Sequence, residues 1–203
     1  MMKIISLPLG DYQTNTYIVT GNSQSCAVID PGFEPETILE KVRSLGLTVD
    51  AVLLTHGHFD HVGGAEKIVS ATGCPLWMSK ADHALPADPM TRWFYPLAGC
   101  DFPEVRFCDE GSEIRAGGLT FRVIATPGHT KGSVCFRCED ALFSGDTLFA
   151  GSCGRTDLPG GDWNTITASL GRLAALDFDG AVYPGHGGAT TLSRERKFNP
   201  YLR

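Results

Sequence analysis

The chain has 203 residues, 42% hydrophobic and 20% charged, with 17 basic and 23 acidic side chains and a formal net charge of −6. This is the composition of a globular protein, and its acidic balance disfavours nucleic acid and anionic membranes, which bind through clustered Lys and Arg. No apolar run has the length of a membrane span, Met1 to Pro8 lacks the apolar stretch of a secretory signal, and an odd set of seven cysteines fits a reducing cytoplasm rather than a disulfide framework.

Short apolar runs alternate with helical patterns. Thr16-Tyr17-Ile18-Val19 and Ser25-Cys26-Ala27-Val28-Ile29 flank Gly21-Asn22 and predict a hairpin. Pro35 then opens a helix with Ile38, Val42 and Leu45 on one face and Gly46 at its end. Ala51 to Leu54 predicts a buried strand, Val62 to Ala71 a short helix and Leu76 to Met78 a strand. Ala84 to Cys108 has little periodicity and several prolines, and is expected to be loop-rich. Within it, Trp93 and Phe94 are candidates to line a cleft.

Leu119 to Ile124 alternates as a strand does, and Ser133 to Phe136 pairs with Ala141 to Ser144 across Glu139-Asp140. Asp162 is placed to N-cap a helix with Ile166, Leu170 and Leu173 facing inward. Ala181 to Tyr183 predicts the last strand. Cys135 and Cys138 would face opposite sides of a strand, so their Cys-x-x-Cys spacing carries no redox or metal role.

Five of the six histidines fall in a ligand-like pattern, His83 being the exception. His56-Gly57-His58-Phe59-Asp60-His61 packs three imidazoles and a carboxylate into six residues. His129, Asp146 and His186 follow far downstream, each after an apolar run and beside glycine. His56, His129, Asp146 and His186 all follow predicted strand ends, the edge at which open α/β sheets place ligands. Imidazole and carboxylate are ligands for zinc and other first-row metals, and seven are too many for one tetrahedral ion. They suit two ions sharing a carboxylate.

The run His56 to His61 resembles the His-x-His-x-Asp-His signature of the metallo-β-lactamase superfamily. Thr126-Pro127-Gly128-His129-Thr130, Ser144-Gly145-Asp146-Thr147 and Pro184-Gly185-His186-Gly187 resemble its later motifs in order, and Val28-Ile29-Asp30-Pro31-Gly32 its first. The resemblance implies an α/β fold, a four-layer αβ/βα sandwich of two mixed sheets flanked by helices, with residues 1–203 as a single domain. It implies two divalent ions, zinc with iron or manganese as alternatives. One ion takes His56, His58 and His129, the other takes Asp60, His61 and His186, and Asp146 bridges them. Asp60 and Asp146 are the implied catalytic carboxylates, and Asp30 orients a ligand.

Gly151-Ser152-Cys153-Gly154-Arg155-Thr156-Asp157 resembles the segment of glyoxalase II-like and persulfide dioxygenase-like members. By the first resemblance the chain is a cytoplasmic hydroxyacylglutathione hydrolase-type thioesterase. A metal-bridging hydroxide attacks the thioester carbonyl, S-D-lactoylglutathione is the expected substrate, and Arg155 binds its glutathione carboxylate. The separate C-terminal helical glutathione-binding domain of long-form glyoxalase II is expected to be absent, as in the short glyoxalase II-like proteins. Arg194, Arg196 and Lys197 are read mainly as a solvated helix face. By the second resemblance a single iron would sit on His56, His129 and Asp146 and activate O₂. A lactonase would use the same seven ligands. A silent binding module fits less well, because no ligand is missing.

Overall fold

A computed structural model of the chain describes residues 1–85 and 105–202. One sheet runs in the order β1 (Lys3–Leu9), β2 (Thr14–Thr20), β3 (Ser25–Ile29), β4 (Thr48–Leu53), β5 (Leu76–Met78), β6 (Val105–Phe107). Its first three strands are antiparallel and the rest are added in parallel, so the sheet is mixed. The second sheet contains β7 (Glu113–Ala116), β8 (Leu119–Ala125), β9 (Val134–Cys138), β10 (Ala141–Gly145), β13 (Ala181–Pro184) and β14 (Thr190–Thr191). Its order is β14-β13-β10-β9-β8-β7, with only β10 and β13 parallel. A small ribbon of β11 (Leu148–Phe149) and β12 (Ser152–Cys153) stands apart.

Alternation along the strands builds the layers. Tyr17, Val19, Ala27, Ile29 and Leu53 point from the first sheet at Phe121, Val123, Phe136 and Phe143 of the second. The opposite face of the first sheet buries Ile18, Val28 and Val52 against α1 (Pro35–Ser44) and α3 (Ala65–Thr72). The outer face of the second packs Cys135, Leu142 and Val182 on α4 (Trp163–Ala174), through Ile166, Leu170 and Leu173. The result is the four-layer αβ/βα sandwich of two mixed sheets. Cys135 and Cys138 lie in different cores on opposite faces of β9, as their spacing requires.

The structure refines two expectations. The helix expected over Val62 to Ala71 is two pieces, α2 (Phe59–Val62) and α3, broken at Gly63-Gly64. At the break the Gly64 amide donates to the Pro31 carbonyl at 2.8 Å instead of continuing the helix, and glycine is required because a Cβ on Gly63 would stand 2.6 Å from the Gly32 carbonyl oxygen and one on Gly64 2.8 Å from that of Pro31. The loop expected over Ala84 to Cys108 contains edge strand β6, while Trp93 and Phe94 lie outside the described residues. Two edge strands went unread: β1 lacks a clean apolar alternation, and β7 alternates but over only four residues.

The C-terminal α5 (Leu192–Phe198) is anchored rather than simply solvated. Arg196 donates to the backbone carbonyls of Ala174 and Leu176 at the end of α4. Glu195 and Asn199 are fully buried. Glu195 accepts from the Gly151 amide at 2.7 Å and Thr190 Oγ1 at 2.6 Å, and Asn199 donates to the Ser152 carbonyl at 2.9 Å. The β11–β12 turn is therefore held from behind by this helix.

Candidate metal centre

β3, β4, β8, β10 and β13 end at the same rim of the sandwich, and the seven predicted ligands follow four of them. β2 of the first sheet is stitched there to the end of β13 in the second. The Asn15 amide donates to the Gly185 carbonyl at 2.7 Å, and the Tyr17 hydroxyl donates to that of Pro184 at 2.6 Å. These bonds draw the strand ends, and the ligands they carry, towards one another.

The seven side chains form two adjoining groups. Ligand atoms of His56, His58 and His129 lie within 4.8 Å of one another, as do those of Asp60, His61 and His186. Asp146 stands between them, with Oδ2 3.5 Å from both His129 Nε2 and His186 Nε2 and Oδ1 3.3 Å from His61 Nε2. Asp30 also lies close to His56 and His61, but its oxygens are already engaged. They accept from the Thr55 amide at 2.8 Å, Thr55 Oγ1 at 2.6 Å and His61 Nδ1 at 2.9 Å.

Four imidazoles are oriented alike through Nδ1. That of His61 faces Asp30, that of His56 faces Thr55 Oγ1 at 3.1 Å, that of His129 faces the Arg155 carbonyl at 2.7 Å and that of His186 faces the Tyr12 carbonyl at 3.1 Å. An acceptor at Nδ1 fixes the proton there and leaves Nε2 with a lone pair aimed inward. His58 presents Nδ1 instead, 2.8 Å from His129 Nε2.

This donor set fits metal ions. His56 Nε2, His61 Nε2 and Asp146 Oδ1 are buried without a hydrogen-bond partner among the described residues. Such orphaned atoms cost about 1–3 kcal/mol each unless something compensates them. His58 Nδ1 and His129 Nε2, 2.8 Å apart, satisfy each other by a hydrogen bond, whose proton an ion bound by both nitrogens would displace.

Charge is divided unevenly between the groups. Burial, reinforced by the neighbouring imidazoles, holds His56 well below the usual histidine range and His58 at about 3, with His129 its nearest competitor. Burial also works against charge on His61 and His186, but there the carboxylates prevail. Asp146 and Asp60, joined by Asp30 at His61, raise His61 well above the usual range and His186 to about 9. Asp60 and Asp146 are correspondingly lowered by His61 and His186, against their own burial.

The centre opens into a cavity of about 660 Å³, bounded by Tyr12, Phe59, Leu85, Phe149, Cys153 and Arg155 among others. Arg155 is exposed and makes a bidentate ion pair with Asp157 at 2.7 and 2.6 Å. Cys153 is a half-buried thiol whose pKa burial raises, which argues against thiolate reactivity there. His83 is exposed and stacks edge-on against Phe107, away from the cluster.

Sequence reasoning missed several participants. Thr55, Thr14 (its Oγ1 3.2 Å from Asp60 Oδ2) and the carbonyls of Tyr12 and Arg155 all support ligands. Backbone carbonyls leave no residue-type signature. Thr55 directly precedes the histidine run, and that adjacency is the one signal the sequence offered.

Residues 9–186 match the sequence profile of the Metallo-beta-lactamase superfamily. The chain belongs to this superfamily. It is similar to the hydroxyacylglutathione hydrolase GloC of Haemophilus influenzae, 34% identical over 99% of this chain and 98% of that one. Among solved structures it is similar to BLEG-1 B3 metallo-beta-lactamase, with TM-score 0.88 and 33% identity over 100% and 99% of the two chains. It also resembles TTHA1623 in a di-iron-bound form, with TM-score 0.86 and 41% identity over 98% and 100%. The superfamily is one of metallo-hydrolases, and the two adjoining His/Asp donor groups suggest a binuclear metal site.

Proposed function

We propose that the chain is a metal-dependent thioesterase of the hydroxyacylglutathione hydrolase type, with S-D-lactoylglutathione as substrate and zinc as the metal. The observation that carries this reading is the convergence of two donor groups on Asp146, with nitrogen lone pairs left unpaired among buried side chains. The full-length similarity to GloC supports the choice of thioester. The free Cys26, Cys74, Cys108, Cys135, Cys138 and Cys153 support a cytoplasmic setting.

In this reading His56, His58 and His129 hold one ion, Asp60, His61 and His186 hold the other, and Asp146 reaches both. Divalent ions there would supply Lewis acidity and lower the pKa of water towards about 7. The chain's own part is to aim the donors, hold Asp60 and Asp146 ionised and orient the substrate. Asp60, ionised and held by Thr14, is assigned to orient the attacking water as a hydrogen-bond acceptor. Asp146 stays ionised between the two groups. Arg155, at the rim of the cavity, exchanges Asp157 for a substrate carboxylate. That exchange costs little, because exposed ion pairs contribute only about 0–1 kcal/mol.

The single-iron oxygenase reading would use His56, His129 and Asp146 and leave Asp60, His61 and His186 converging without a task. The similarity to a di-iron-bound protein also keeps iron in view as the metal of a hydrolase. Elemental analysis of purified protein, run beside assays with S-D-lactoylglutathione, glutathione persulfide and a β-lactam, separates these activities. About two ions per chain with thioester turnover is expected. One iron with O₂ uptake, or β-lactam turnover alone, would overturn the proposal.

A further inference from the structure

Asp82 ends the short 3-10 turn Lys80–Asp82 that follows β5, a turn capped by Ser79. No motif marks it. It is only 1% exposed, and the three hydrogen bonds its carboxylate accepts all come from two ligand-bearing loops. Oδ2 accepts from the Gly57 amide at 2.9 Å and from Thr130 Oγ1 at 2.6 Å, while Oδ1 accepts from the Gly132 amide at 2.7 Å. Gly57 lies between His56 and His58, and Thr130 follows His129 directly. Asp82 therefore touches no ligand, yet bonds to the backbone or side chain beside all three members of one group.

The packing gives the same result independently. A Cβ on Gly57 would stand 2.8 Å from the Asp82 carbonyl oxygen, and one on Gly132 2.7 Å from its Cγ. Both loops are pressed onto this one residue, and both have glycine at the point of contact. Asp30 has the matching position on the other side, bonded to His61 and Thr55. Asp30 bonds one ligand directly, His61, and reaches His56 through Thr55, whereas Asp82 acts only on the loops of the three-histidine group.

We propose that Asp82 is a positioning residue specific to the three-histidine group, setting the metal affinity of His56, His58 and His129 by clamping the Gly57 loop to the Thr130–Gly132 loop. This rests on the metal-binding reading above. Loss of a partner that orients ligands typically lowers metal affinity by about 10–100-fold. In Asp82→Asn an amide NH₂ must face one of the three donors, which breaks the clamp at nearly constant volume.

The test is zinc titration of chelator-stripped protein in competition with a chromophoric chelator, in a His186→Ala background that leaves the three-histidine group whole. Adding Asp82→Asn should weaken zinc there by about 10–100-fold. Adding Thr130→Val, which deletes one of the three bonds, should weaken it by roughly threefold. In the otherwise unchanged protein, Asp82→Asn should weaken one of two binding steps and spare the other. Affinity within twofold in both variants would overturn the proposal, as would equal weakening of both steps. A role confined to folding would instead lower the melting temperature of stripped protein and leave zinc affinity intact. If Asp82→Asn does not fold, Thr130→Val decides. If the unsubstituted protein binds no zinc, the metal-binding reading itself fails.

Discussion

Protonation of His186 and metal binding at the same nitrogen are mutually exclusive. The carboxylates of Asp146 and Asp60 raise this imidazole to about 9 despite partial burial. A raised histidine contributes stability to the metal-free fold that is complete below pH 6.5 and is lost as pH rises through about 9. Zinc must displace that proton, so affinity should climb as pH rises towards 9. Calorimetric titration in two buffers of different ionisation enthalpy would count the protons released, more at pH 7 than at pH 9.5. An unchanged count would contradict the assignment of His186 as a ligand. Arg155→Gln should raise KM for S-D-lactoylglutathione about tenfold, the value of one charge-assisted hydrogen bond, and leave kcat nearly unchanged in steady-state assays. The ligands were legible because imidazoles and a carboxylate crowded into His56 to His61 repel one another's protons and desolvate together, an arrangement that a cation stabilises and little else does. Asp82 was not, since a lone aspartate after a three-residue strand resembles any other loop residue until its donors, 25 to 50 positions away along the chain, are seen.

At the scale of elements, α4 shows how much local chemistry the sequence contained. Asp162 caps it through the Thr165 amide at 2.7 Å, and Ile166, Leu170 and Leu173 are fully buried, as their spacing predicts. Asp162→Ala should cost about 1 kcal/mol, read as a lower urea midpoint with unchanged slope. Leu170→Ala should cost about 2–5 kcal/mol by the same measurement, because it opens a cavity beneath the second sheet. The break between α2 and α3 was not legible in the same way. Helical periodicity continues across Gly63-Gly64, and only the approach of the Pro31 and Gly32 carbonyls stops the helix. β6 was missed because two of its three residues are exposed, leaving no alternation to read.

Across the whole molecule, the ligands come from both sheets, so a bound ion ties the layers together. Removing it should lower stability by about 2.7 kcal/mol for each site that was filled at 100 times its Kd. Chelation should then lower the Tm by roughly 5–10 °C per site, visible by calorimetry with and without a chelator. Equal Tm values would mean that the cluster holds no ion. The order of strands and motifs made the sandwich readable from the sequence. The bonds that close it, from Asn15 and Tyr17 to the end of β13, pair residues nearly the whole chain apart and have no local signature. The anchoring of α5 has a practical corollary of the same long-range kind. Phe149 and Cys153 wall the reaction cavity, and the turn between them hangs from Glu195 and Asn199. Trimming the protein beyond Leu192 would remove a surface helix by name and a cavity wall in effect, so shortened versions should retain their ions yet grip substrate poorly.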